Sequence, residues 1–285
     1  MQNSGEGKEM FRAAQPADQP ALAALFADSF GDPPAFAGEV IEKFAGPGNV
    51  FLAEVEGKPA ALLCAAPVTL EGRPGVYYYG LCTARQARGN GLMTGLMDWA
   101  RQQLRQRGAA FAVLVPAGPA LFSFYAARGF EKAFGLRRLE RPIRNNLWAQ
   151  ADFDSVTAKG WEALRRRWAP QSVMLNGAGY IMALTDLYSG GVTTVETDEG
   201  YGFYFQQGDT LRFVELFAEG DRAAEKLMEA ARQKTGAGRA VITLGQGQNL
   251  FLGEGAPQDY GMIDFWGQPF DVRDAYMRLM LDGDQ

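Results

Sequence analysis

The sequence predicts a mixed α/β fold (α+β elements on a mixed sheet) built as two successive halves. Three observations carry this. Apolar residues recur at helical spacing in some segments and form short runs bounded by turn residues in others. One run, Ala110 to Val115, is wholly apolar, as expected of a strand buried on both faces. The order strand, strand, strand, helix, strand then occurs once in each half of the 285-residue chain, a length that suits two domains.

Residues 1–8, rich in Gly, Ser and charge, read as a flexible tail. From Met10 the first half, 9–145, has the expected order β-α-α-β-β-β-α-β-α-β. Leu22, Leu25, Phe26 and Phe30 share one face of a helix over Ala17 to Phe30. Pro33-Pro34 opens a second helix to Phe44, and Gly46-Pro47-Gly48 ends it. Val50–Val55, Ala60–Leu70 and Val76–Thr83 follow as strands of an antiparallel meander, separated by Gly57-Lys58 and Glu71 to Gly75. A helix over Leu92–Arg107 presents Leu92, Leu96, Ala100 and Leu104 on one side and stops at Gly108. The apolar strand comes next, then a short helix Leu121–Arg128 closed by Gly129 and a strand Phe130–Glu140.

Pro142 to Gln150 reads as a connection. The second half, 146–285, is expected to hold a helix at Trp161–Trp168 and an apolar segment at Ile181–Leu187. Strands at Val192–Thr197, Tyr201–Gln206 and Leu211–Ala218 precede a helix Arg222–Lys234 and a strand Arg239–Leu244. Arg165-Arg166-Arg167 reads as a solvated helix face.

Composition removes several kinds of chemistry. Lys plus Arg is 28 against 33 Asp plus Glu, a net charge of −5, which argues against nucleic-acid binding. There is no histidine, so imidazole general bases, Ser-His-Asp triads and His-ligated zinc are excluded; no metal is expected. The two cysteines, Cys64 and Cys82, fit neither a metal knuckle nor a CxxC motif and suit a reducing compartment. The longest apolar run, Ala60 to Val68, is about half of what a membrane span needs, and MQNSGEGKEM lacks a signal-peptide core. The expectation is a cytoplasmic protein with no membrane partner, compatible with a homo-oligomer.

Between the strand ending at Thr83 and the helix from Leu92 lies Arg88-Gly89-Asn90-Gly91. Glycines there admit close backbone approach, and the helix start offers unpaired N–H groups and partial positive charge to an anion. The GxxxxGK[ST] and GxGxxG fingerprints do not fit, since no Lys-Ser/Thr follows and position 94 is Thr. The segment YYYGLCTARQARGNGLMT, Tyr77 to Thr94, resembles the acetyl-CoA motif of the GNAT acyltransferases, whose core is R-x-x-G-x-G/A; Met93 departs from its final small residue. LFSFYAARGF, Leu121 to Phe130, is similar to the family's Tyr-bearing helix, at family-like spacing. The resemblance covers residues 10–140. The remainder is similar to the degenerate second half of tandem GNAT proteins of the enhanced-intracellular-survival type, through Gly179–Asp186 and Ala275–Asp282, without a further C-terminal domain.

The resemblance implies an acyl-CoA-dependent N-acyltransferase, acetyl-CoA as cosubstrate, and a small-molecule or peptide amine as acceptor. It implies that Leu81, Cys82 and Thr83 pair with the pantetheine arm, a backbone N–H near Leu81 or Cys82 facing the thioester oxygen. Arg88, Gly89, Asn90, Gly91, Leu92, Met93 and Thr94 take the diphosphate, and Tyr125 serves as general acid to the leaving thiolate. Gly118 stands where relatives carry an amide side chain. For the general base, Glu54, Asp28, Glu39 and the terminal carboxylate of Gln285 are the candidates. Tyr77 to Tyr79 either line an acceptor pocket or pack within the strand. The alternative function is a non-catalytic acyl-CoA-binding or regulatory protein. In the second half Asp221, in Glu219-Gly220-Asp221, is expected to cap its helix and so close that anion site. This half is then expected to bind no acyl-CoA, to buttress the first half and to wall the acceptor pocket.

Overall fold

The computed structural model describes residues 9–145 and 149–280. It divides into two compact units that interleave in sequence. Unit 1 comprises 1–114, 123–130 and 263–269; unit 2 comprises 115–122, 131–262 and 270–285.

In unit 1, β1 (Met10–Ala13) precedes α1 (Gln19–Phe30) and α2 (Pro34–Glu39). The single helix expected to Phe44 is interrupted: α2 passes into a wider π turn over Val40–Ala45, which still buries Val40, Ile41 and Phe44. The meander follows as β2 (Val50–Val55), β3 (Lys58–Leu70) and β4 (Arg73–Thr83), then α3 (Leu92–Gln106), β5 (Phe111–Leu114) and α4 (Pro119–Ala126). The sheet order is β1-β2-β3-β4-β5, antiparallel up to β4 and parallel between β4 and β5. Helix α3 buries Leu92, Leu96, Met97, Ala100 and Leu104. At roughly 1.5–3 kcal/mol for each large apolar side chain, this stripe fixes the helix, and with it the loop before it, on the sheet.

Unit 2 begins its sheet with β6 (Glu131–Pro142), followed by α5 (Ala158–Trp168), the two-residue β7 (Met174–Leu175) and α6 (Gly177–Ser189). Then come β8 (Thr193–Thr197), β9 (Gly200–Gln207), β10 (Thr210–Ala218), α7 (Asp221–Thr235), β11 (Arg239–Gly245) and β12 (Ala256–Phe265). Strand β12 opens in unit 2 and its last residues, from Ile263, belong to unit 1. Strands β10 and β11 are parallel, and α7 closes the core over Tyr204, Leu211, Phe213 and Ile242 with Ala224, Leu227 and Met228.

Two sequence expectations for unit 2 are corrected. Arg165 is not solvated; it is fully buried in an ion pair with Glu215, while Arg166 and Arg167 stay exposed. The buried carboxylate is satisfied further by Trp161 Nε1 at 2.8 Å, Tyr201 Oη at 2.6 Å and Tyr276 Oη at 3.1 Å. Asp221 is not the N-cap of α7. Gly220 takes that place, and the Asp221 carboxylate instead accepts the Phe251 N–H at 2.7 Å. Strand β12 was not expected from the sequence. No helix among the described residues is long and apolar enough to cross a membrane.

Candidate active site

The site grows out of a break in β4. Its register with β3 shifts so that Cys82 faces Leu62 and Tyr79 faces Cys64, leaving Gly80 and Leu81 opposite Leu63. Such a bulge twists the strand and releases backbone groups from the ladder. Glycine is required at its first position: Gly80 has φ of +65°, and a Cβ there would lie 2.5 Å from the Phe26 ring. On the other edge, β4 pairs with β5 only at Val76 and Tyr77. The ladder to β5 thus ends at Tyr77, while β4 runs on to Thr83. A ligand with amide groups can therefore add to it as a short strand.

The loop beyond β4 leads to a helix start with no side-chain cap. Gly91 is the N-cap of α3 at φ +77°, and the first bond back to it comes from Gly95 N at 3.0 Å. The N–H groups of Leu92, Met93 and Thr94 thus lack intrahelical partners. A Cβ built on Gly89 or Gly91 meets nothing within 4 Å, so the space over these groups is open. Arg88 turns back to the Thr83 carbonyl, donating from Nε at 2.9 Å, and adds a positive charge to the loop. Open N–H groups, helix dipole and guanidinium together fit a diphosphate.

Arg128, which sequence reasoning did not single out, ties the next helix to this start. It donates to Thr94 Oγ1 from Nε at 3.0 Å and Nη2 at 2.6 Å, and its guanidinium stacks 3.4 Å from the Phe124 ring centre. Arg101 Nη2 donates to the Arg128 carbonyl at 2.6 Å and pairs with Asp264 at 2.7 Å. Tyr125, one turn before Arg128, is buried, and its ring lies 5.9 Å from Phe130. Phe130 in turn lies 6.1 Å from Tyr78 of β4, so it bridges Tyr125 to the strand at the point where pairing with β5 ends. Burial pushes the Tyr125 phenol up to about 12, against a smaller opposing pull from Arg128. The only sequence signal for Arg128 is its place in Ala127-Arg128-Gly129, ahead of β6.

The expected site residues divide by what they can offer. Gly89, Asn90, Gly91 and Arg88 are exposed; Leu81, Thr83, Met93 and Thr94 are half-buried. Cys82 and Leu92 turn their side chains into the core, so they contribute only main chain. The Cys82 thiol is pushed up to about 11 by burial. Gly118 has open space where a Cβ would stand, so packing does not demand glycine there.

Among the candidate bases, Glu54 is a structural carboxylate: Arg12 grips it, donating from Nε at 3.0 Å, and grips Asp18 at 2.6 Å as well. Glu39 pairs with Lys43, and Asp28 lies 4.0 Å from Arg85; both are surface carboxylates. Gln285 lies outside the described residues. Asp32, in the α1–α2 turn, was missed by the sequence reading; desolvation raises its pKa. Tyr77 packs edge-on to Phe44 at 6.1 Å, and Tyr78 is buried on the opposite face. Tyr79, half-buried, is the one member of the triplet partly open to solvent.

These features define an acetyltransferase fold of the GNAT kind. Residues 10–133 match the family model described as Acetyltransferase (GNAT) domain. A probable N-acyltransferase from Enterococcus faecalis superposes with a TM-score of 0.72 at 14% identity, covering 94% of this chain and 73% of its own. Eis1 from Mycobacterium abscessus gives 0.66 at 16% identity, covering 90% of this chain and 73% of its own. A tandem GNAT protein from the clavulanic acid biosynthesis pathway gives 0.54 at 14%, covering 93% of this chain and 100% of its own. The shared fold thus extends over both halves. No curated protein matches the sequence.

Proposed function

We propose that the chain is an acyl-CoA-dependent N-acyltransferase, passing the acetyl group of acetyl-CoA directly to a small-molecule or peptide amine. The observation that carries this reading is the uncapped start of α3 behind Gly91, joined by a short loop to the part of β4 that runs on past the end of its ladder with β5. Acetyl-CoA, when bound, supplies an activated thioester. The N–H groups of Leu92, Met93 and Thr94, with Arg88, hold its diphosphate, and the β4 edge from Tyr78 to Thr83 pairs with the amides of its arm. The bulge at Gly80 and Leu81 turns a main-chain N–H toward the carbonyl oxygen, where a preorganised donor stabilises developing negative charge.

Tyr125 donates to the departing sulfur. With its pKa raised to about 12 the phenol keeps its proton at neutral pH, so the group is always present as a donor. A thiolate whose conjugate acid has a pKa of ~8.5 leaves readily with that hydrogen bond in place. Cys82, held as a thiol by burial, offers no nucleophile, which favours direct transfer.

Among its described residues unit 2 has no equivalent opening, so we assign it no acyl-CoA. Its parallel strands β10 and β11 also diverge after Phe213 and Ile242, but Gln248 spans the gap. The carboxamide accepts from Gly245 N at 2.6 Å and donates to the Leu216 carbonyl at 2.9 Å, while Arg278 binds the Val214 carbonyl. The main-chain groups an incoming arm would need are already taken.

The test is turnover of acetyl-CoA against a panel of amines, followed by release of free thiol and by the mass of the acylated product. Both should rise together for at least one amine. Tight acetyl-CoA binding with no thiol released across the panel would leave the non-catalytic binder and overturn the enzyme reading.

A further inference from the structure

Unit 2 contains a cavity of about 290 Å³, at the lower end of small-molecule sites, beside the start of α7. Its walls include three aromatic side chains, Trp168, Phe217 and Tyr276, and its rim carries the exposed carboxylates of Glu219 and Asp274. No Lys or Arg lines it, and neither carboxylate forms an ion pair with a described residue. We propose that this cavity binds a small ammonium ion bearing a hydroxyl group, of the choline class.

The argument rests on charge, ring chemistry and one unmet hydrogen bond. A desolvated cation is attracted to aromatic faces, and most strongly to indole. Trp168 already holds one cation in this way, since the Arg167 guanidinium lies 4.7 Å from its ring centre. The buried cations behind the wall are held in place: Arg165 by Glu215 and the Arg278 carbonyl, with its guanidinium 5.5 Å from the Tyr276 ring centre, and Arg278 by the Val214 carbonyl. Tyr276 spends its hydroxyl on Glu215, so it adds ring and no free hydroxyl to the wall. The Trp168 indole N–H is buried without a hydrogen-bond partner among the described residues. Leaving such a donor unmet is costly, and a ligand hydroxyl would accept from it.

The wall is also built in advance of any ligand. Arg137 donates to the carbonyls of Gln248 at 2.8 Å and Leu250 at 2.9 Å, and Gln248 is fixed at both ends of its carboxamide. Ordering costs are therefore small, which favours a compact ligand.

Choline is a suitable probe because its quaternary nitrogen cannot accept an acyl group, and titration in the absence of acetyl-CoA leaves its hydroxyl no acyl donor, so binding here is separable from turnover in unit 1. Calorimetry on the full chain should show one saturable choline site. The neutral isostere with carbon in place of nitrogen should bind about tenfold more weakly or worse, the scale of a desolvated cation–aromatic contact. The double variant Glu219→Gln with Asp274→Asn should weaken choline by a similar factor while leaving the isostere unchanged. Trp168→Phe, which keeps a ring but removes the N–H, should weaken both. Equal affinity for choline and the isostere would overturn the proposal. So would the absence of choline heat, or inorganic phosphate competing for the cavity in place of the cation.

Discussion

Replacing Gly91 separates the two demands this position serves. Its φ of +77° costs an L-residue about 1–2 kcal/mol, whatever the side chain, and the open space around it imposes no clash. Gly91→Ala therefore tests backbone strain alone and should lower the unfolding free energy by about 1 kcal/mol while leaving the N–H groups of Leu92 to Thr94 in place. Gly91→Glu carries the same strain and adds a carboxylate over those N–H groups. At about 4 Å in water each like-charge pair costs about 1 kcal/mol, so two diphosphate charges give about 2 kcal/mol, or about 30-fold in affinity. Calorimetric titration of acetyl-CoA into both variants reads the difference. Gly91→Glu should bind about 30-fold more weakly than Gly91→Ala. Equal affinities would show that no phosphate sits over α3, and the site assignment would fall.

Tyr125→Phe should reduce turnover by ~10²–10⁴-fold, the scale of acid–base assistance, with acetyl-CoA affinity kept; a wild-type rate would make Tyr125 a packing residue. The same residue links stability to alkaline pH. Its pKa rises from ~10 in the unfolded chain to about 12 in the fold, so the burial of its neutral form stabilises fully below pH ~10 and is lost as pH rises through 12. Between those limits the stability difference should move by up to about 3 kcal/mol in favour of Tyr125→Phe, measured by denaturant titration at each pH. Glu215→Gln should leave Arg165 as an uncompensated buried charge, costing about 3–5 kcal/mol and lowering the thermal midpoint by about 10 °C; an unchanged midpoint would mean the pair is dispensable. Acetyl-CoA titration should give one site per chain, and a stoichiometry of two would show that Gln248 does not close unit 2.

The sequence was most legible where one element sets its own pattern. The boundaries of β2 follow from an apolar block between turn residues, and α3 from a stripe of leucines ending at Gly108. The glycine loop was readable because the function proposed for it needs missing side chains, and missing side chains appear in a sequence. What could not be read was long-range. Glu54 carries no local sign that Arg12 will hold it, and Arg165 sits among two exposed arginines with nothing to mark it as buried beneath Glu215. Strand β12 opens with Ala256-Pro257-Gln258-Asp259, all exposed in the fold, and its buried apolar residues begin only at Met262, late in the strand and broken by Asp264. The bulge at Gly80 depends on a register across two strands, which spacing within one strand does not reveal.

The two strand–loop–helix units show which part of that pattern matters. Both have parallel strands that part company, a glycine at the helix N-cap and no side-chain cap. The helix start alone therefore does not distinguish them, and Asp221, turned toward the Phe251 N–H, does not either. The distinction lies in the gap between the strands. In unit 1 the ladder between β4 and β5 ends at Tyr77, and a ligand amide can continue it along β4. In unit 2 the Gln248 carboxamide occupies the corresponding gap with the donor and acceptor pattern of a peptide group, meeting Gly245 N and the Leu216 carbonyl at once. A half-buried amide that satisfies both strands is difficult to displace, because any competitor must replace two good hydrogen bonds and leave the carboxamide without partners. On the proposed function, exclusion of the cosubstrate from this half thus needs no change in its glycine loop, only a side chain of the right length that copies the ligand.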